Sequence, residues 1–196
     1  VPISKICSLS KGLFARAGDA SAVVAVEAAF IFSLLVILVI AVTDYGFYLT
    51  LRSRAEAVNY SLTSVLRERT WLYDADEAVT QVQLDELAKL AGVMFGKTGA
   101  QQLCLTVEQI VFKDEKIKSV AASTIFFSGA ANCRTQPITR LEALTELSPW
   151  SSASRWMPLY QVTLSVPTPE NSLHKLLQGV GALPERIIIS NVALPR

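Results

Sequence analysis

The chain has 196 residues, a formal net charge of +1 and 51% hydrophobic residues. So even a balance leaves no basic footprint for nucleic acid, and one histidine with three cysteines in no CxxC spacing leaves no zinc site. Length suggests one domain, and about 120–150 residues remain for a single small core once the N-terminal segment is set aside.

The first element is an apolar run from Ala22 to Thr43, preceded by Lys5, Lys11 and Arg16 and by the small residues Gly18, Ala20, Ser21 and Ala22. From Ala28 to Val42 nothing is charged and only Ser33 is polar. At about 22 residues the run is long enough to cross a hydrocarbon core of roughly 30 Å as a helix. Its single carboxylate, Glu27, would cost of order 2.5–3.5 kcal/mol at the centre of a membrane helix and less near an interface, so it is a functional candidate.

Three readings of the run compete. A secretory signal cut after it would use Val39-Ile40-Ala41, but no polar cleavage region follows and the basic region is overlong. A plain signal anchor would hold a domain outside the membrane. A third kind of signal is cut on the cytoplasmic side, after Ala22, leaving the helix on the product with Glu27 as its fifth residue. Arg52 and Arg54 follow the span beyond Tyr45, Phe47 and Tyr48, an interfacial aromatic group. An inside N-terminus is the better orientation, on a small excess of basic residues.

The helical pattern continues past the span. Leu51, Ala55, Val58, Leu62 and Val65 recur at three- and four-residue spacing, with Arg52, Glu56, Ser64 and Arg67 on other faces. One helix from about Val23 to Trp71 would be about 70 Å long. Thr80 and Gln83 form a capping box, opening a second amphipathic helix through Leu84, Leu87, Ala88, Ala91 and Phe95 that ends near Gly96.

Strand signals follow. Leu103, Leu105 and Val107 alternate with Cys104 and Thr106, and the apolar pattern resumes from Ile110 to Phe112. Lys113-Asp114-Glu115-Lys116 separates this stretch from Ile117–Phe127, which predicts a hairpin. In Leu159–Val166, Tyr160, Val162, Leu164 and Val166 face one way and Gln161, Thr163 and Ser165 the other. Thr168-Pro169 opens a short helix through Leu177, and Arg186–Leu194 supplies a last strand. Gly129 to Pro158 reads as irregular. The expected class is α+β: a long N-terminal helix against an antiparallel sheet of about four strands.

Cys104 and Cys133 are left as a pair if the segment carrying Cys7 is removed or stays cytoplasmic. Bonded, they would close a loop of about 30 residues and contribute a few kcal/mol; the alternative is two free buried thiols. Arg67, Glu68 and Arg69 read equally as a contact surface or as a solvated helix face with ordinary charge pairing. Asp44 reads as a cap on the outer edge of the span or an ordinary interfacial charge. Asn59-Tyr60-Ser61 matches a glycosylation sequon, a coincidence on a helix. His174 reads as a surface residue, and Trp71, Trp150 and Trp156 as packing. No nucleophile–base pair, P-loop, GxGxxG or metal spacing stands out, so neither catalysis, a cofactor nor a small-molecule substrate is expected.

The junction Ala25-Val26-Glu27 ahead of the apolar run, followed by Asp44, resembles the TadE/TadF pseudopilins of tight-adherence (Tad/Flp) pili, a branch of the type IV pilus systems. Asn59-Tyr60-Ser61-Leu62, then Leu66-Arg67-Glu68-Arg69-Thr70-Trp71-Leu72-Tyr73, and Pro158-Leu159-Tyr160-Gln161-Val162-Thr163-Leu164 are similar to the TadF branch in particular. The resemblance implies a type IV pilin-like fold and a minor subunit acting in pilus assembly with sister pseudopilins, after cleavage by a prepilin peptidase. Ala22 would precede the cut, Val23 would become the N-terminus, and Glu27 would pair with a neighbour's new amine. The family usually has Gly where Ala22 stands, and often an aromatic residue after the Glu, where this chain has Ala28 and Ala29.

The expected organisation is a leader over 1–22, a long helix over 23–72 and a periplasmic α+β head over 73–196. The helix divides into a membrane part at about 23–44 and an amphipathic part at about 45–72. The protein would sit in the bacterial inner membrane, N-terminus cytoplasmic, and could enter the pilus. An unprocessed single-pass anchored binding or sensing domain in the periplasm is the alternative.

Overall fold

A computed structural model describes residues 4–68, 78–96, 102–130, 133–168, 175, 178–179 and 184–195, with side chains from Val23 onward. The chain divides into two compact units, Val1–Gly46 and Phe47–Arg196.

Helix α1 spans Ser4–Arg67. It begins well before Val23, because no proline stands between Ser4 and Ala22 and the isolated Gly12 and Gly18 are tolerated inside a helix. Arg67 is its last helical residue; Trp71 lies outside the described residues, as does most of the expected Thr168–Leu177 helix. In the first unit the apolar side chains of α1 are exposed, Phe30 at 70% and Ile37 at 62%.

In the second unit, α1 turns Ala55, Val58, Leu62 and Leu66 into the core, with Leu51 and Val65 packed partly against it. Asn59 falls on the same stripe and is fully buried, its Nδ2 donating to the carbonyls of Val162 and Ile189, each at 3.3 Å. An Asn so enclosed is no glycosylation acceptor.

Helix α2, Gln81–Phe95, has the predicted capping box at Thr80 and Gln83. It stops at Gly96, whose φ of 82° suits glycine. At that end Arg54 of α1 donates to the carbonyl of Met94 at 2.8 Å, placing a cation on a helix C-terminus. Leu84, Leu87, Ala91 and Phe95 are buried.

Four strands form one sheet: β1 (Cys104–Phe112), β2 (Val120–Gly129), β3 (Leu159–Pro167) and β4 (Arg186–Ala193), in the order β2-β1-β3-β4. Every neighbouring pair is antiparallel. Strand β2 starts at Val120 instead of Ile117, which is 80% exposed in a loop. Lys118 holds that loop, its ammonium donating to the carbonyls of Thr145 and Ser148 and lying 4.4 Å from the Trp156 ring centroid. The irregular stretch before β3 contains a 3-10 helix, Leu141–Leu147, which its short length hid from periodicity.

On one face of the sheet Leu105, Val107, Tyr160, Val162 and Leu164 pack with the buried stripes of α1 and α2. On the other, Ile110, Phe112 and Leu159 pack with Leu141. The alternation predicted for β3 is present, yet both of its faces are buried.

The contact between α2 and β2 has a pH dependence. Asp85 accepts from Ser128 Oγ at 2.6 Å and from Gln81 Nε2 at 3.0 Å. These two bonds, Ser128 foremost, hold its carboxyl below the usual aspartate range. A folded-state pKa below the unfolded one stabilises above the unfolded value, about 3.9, and that stability is lost as pH falls through the folded value. The melting temperature of the wild type minus that of Asp85→Asn, measured in detergent at stepped pH, should therefore be largest above about pH 5 and shrink below about pH 4.

Candidate functional site

Two regions carry polar chemistry in places that cost energy, and they lie in different units. The first is the apolar part of α1. From Val23 to Thr43 the only ionisable side chain is Glu27. The two hydroxyls in that interval bond back within the helix, Ser33 Oγ to the Ala29 carbonyl and Thr43 Oγ1 to the Val39 carbonyl, each at 2.8 Å. Such back-bonding satisfies a hydroxyl where no water is available. Glu27 is exposed on the same helix, four residues after Val23. An apolar, exposed helix with internally satisfied hydroxyls fits a single-pass membrane anchor. Ala22 and Val23 both lie inside α1; Val23 is exposed, and the side chain of Ala22 is not among those described.

The second region is the face of the sheet away from the helices, where a strap of chain from Cys133 to Leu141 crosses the strands. Cys104, Thr106 and Glu108 occur at every second position of β1 and so point to one side. Each holds the strap: Cys104 through a disulfide to Cys133, Thr106 Oγ1 donating to the Thr135 carbonyl at 2.7 Å, and Glu108 accepting from the Leu141 N–H at 3.1 Å. Gln161, paired across from Glu108, donates to the Thr139 carbonyl at 2.9 Å. Glu108 is only 6% exposed, so its bond to the backbone is part of what permits its burial.

Arg67, Glu68 and Arg69 are not gathered into a site among the described residues. Arg67 is exposed and lines a groove of about 450 Å³ with Tyr60, Ser64, Asn191, Leu194 and Pro195. Glu68 is half-buried, its N–H bonded to the Ser64 carbonyl. Arg69 lies outside the described residues, as does His174. Trp150 and Trp156 meet edge to face, centroids 5.1 Å apart, as packing residues do. Among the described residues no three His, Cys, Asp or Glu side chains converge to hold a metal ion.

Sequence reasoning missed the roles of Asn59, Thr106, Glu108 and Gln161. For Asn59 the signal was its place on the stripe of Ala55, Val58 and Leu62. For Thr106 and Glu108 it was the two-residue step from Cys104.

An apolar anchor helix whose continuation packs on a four-stranded antiparallel sheet is the arrangement of a pilin-like subunit. Comparison with family models makes the assignment specific. Residues 19–190 match the model for TadF, described as "Putative tight adherence pilin protein F", and the chain belongs to that family. No curated protein and no solved structure matches it.

Replacing both Cys104 and Cys133 by Ala should lower the unfolding free energy of the oxidised protein by about 3–4 kcal/mol, from the entropy of a loop of that length. Denaturant titration of the full chain in detergent, with and without a reductant, measures it; the reductant should leave the double variant unchanged.

Proposed function

We propose that this protein is a minor pseudopilin that acts in initiating or assembling a Tad/Flp-type pilus together with sister pseudopilins. Residues 1–22 are a leader removed by a prepilin peptidase between Ala22 and Val23. The apolar part of α1 stays in the inner membrane, and the α+β head faces the periplasm. Lys5, Lys11 and Arg16 ahead of the span support a cytoplasmic N-terminus. A Cys104–Cys133 disulfide suits an oxidising compartment.

The observation that carries the reading is Glu27: one carboxylate in an otherwise uncharged, exposed apolar helix, in a chain of a pilin family. In lipid an unpaired carboxylate is costly, and a positive partner offsets that cost. Cleavage after Ala22 creates such a partner, the α-amine of Val23 on a neighbouring subunit, and pairing the two fixes the register of adjacent helices. Between helices in lipid no hydrophobic drive exists, so shape and this ion pair select the neighbour. Arg67 and Glu68, at the head end of α1, are proposed contacts for sister subunits, with Arg69 beside them in sequence.

Intact mass and N-terminal sequencing of the membrane-extracted protein should return Val23. An uncleaved leader would indicate an anchored binding or sensing domain instead, and a start at Val42 would indicate a secreted product. Glu27→Ala should abolish or strongly reduce piliation while the head keeps its melting temperature; wild-type piliation in that variant removes the role assigned to Glu27.

A further inference from the structure

The two edges of the sheet are alike in an unusual respect. Soluble domains guard edge strands with lysine, proline or inward charge, because unpaired backbone groups recruit other strands. Strand β2 has ten residues with no charge and no proline, and its Val120–Ile125 stretch is exposed. Residues 187–193 of β4 are also free of charge and proline, although Arg186 and Pro195 flank them. Among the described residues no strand lies beyond either of them, although Gln81 Nε2 of α2 donates to the outward carbonyl of Phe127 near the end of β2 at 3.0 Å.

Strand direction decides what each edge can accept. With four strands and every neighbouring pair antiparallel, β2 runs opposite to β4. A second copy placed beside the first in the same orientation therefore brings its β4 alongside β2 as an antiparallel neighbour. The sheet continues, and the helix-covered faces of both copies stay on the same side. Pairing β2 with another β2 needs a two-fold axis perpendicular to the sheet instead. That operation would run the sheet-packed residues of α1 in opposite directions, whereas chains anchored in one membrane enter their heads from the same side.

Levels along the strands define the register of the side-by-side arrangement. Ile125 is level with Glu108, Glu108 with Gln161, and Gln161 with Val192. In an unstaggered neighbour only Thr124 and Ile125 of the exposed stretch lie level with β4, at its C-terminal end where the groove beside Tyr60 and Arg67 opens, and Val120–Ser123 run past it. A stagger along the strand slides the contact further onto β4.

From these features we infer that copies of this chain associate edge to edge, β2 of one pairing antiparallel with β4 of the next. The contact is heterologous, so each added copy presents the same free edge again. This inference rests on the proposed single-pass anchoring only for the shared direction of the chains.

Cysteine cross-linking of the full-length protein in membranes tests it, with no other pilus component expressed. A Cys7→Ser background leaves Cys104 and Cys133 in their own bond. Thr124→Cys in one copy is combined with Cys at each position from 189 to 193 in another. Cross-links should appear only in mixtures, peak at one β4 position and weaken on either side. Adding Ala122→Lys to the Thr124→Cys copy should cut them roughly tenfold, since a charge on an edge strand opposes pairing. Equal cross-linking of Thr124→Cys with itself, or none in any mixture of proteins whose melting temperatures match the wild type, overturns the inference. A benzophenone amino acid at Thr124 repeats the test without the second cysteine, and capture of a second copy through β2 instead of β4 also overturns it.

Discussion

Strands β1 and β3 are buried on both faces, and most of the head follows from that burial. An antiparallel sheet can leave one face to water, but here the central pair is enclosed from two sides by different means. On one side the cover is apolar: stripes from α1 and α2 meet the leucines and valines of the strands. Asn59 adds two bonds from the helix onto neighbouring strands, which fixes the position of α1 as burial alone would not. On the other side the strands carry Thr106, Glu108, Gln161, Thr163 and Ser165, all buried. Helices have no free N–H and C=O groups to offer such side chains along their length. An irregular strap does, and it bonds Thr106, Glu108 and Gln161, while Thr163 and Ser165 bond Ser190 and Arg186 of β4.

The anchor obeys the opposite economy. Along Val23–Thr43 the polar groups are few, and the hydroxyls are satisfied within the helix. Glu27 is the exception, since no short-range bond to its own helix neutralises a carboxylate. In water this would be a minor feature; in hydrocarbon it dominates the energetics of the segment. The head bonds its buried Thr106, Glu108 and Thr163 within the fold, and the proposed partner of Glu27 comes from outside the chain.

Much of this was legible in the chain. Period-3.6 spacing in 51–66, the capping box at Thr80 and alternation in β3 each rest on local geometry, and each is present. Boundaries set by tertiary contacts were less legible. Ile117 is apolar enough for a strand, yet Lys118, held by two carbonyls and the Trp156 ring, keeps that stretch out of the sheet. The strap was unreadable as an element because its order comes from side chains of β1 and β3, far away in sequence. At the membrane end, Glu27 stood out at once, because one charge in an apolar run needs no tertiary information to be conspicuous.

Cys104 opens β1 and Cys133 stands shortly after the end of β2, so the disulfide encloses the hairpin within a separation of 29 residues. Everything inside that interval leaves the ribosome, and passes any translocation pore, ahead of β3. The hairpin with its bond is thus a self-contained early product of a chain made from its N-terminus. Because β1 lies between β2 and β3, the later strand adds to a side already laid out for it. The order of synthesis lets each strand join an edge already laid down, with β4 the last of the four.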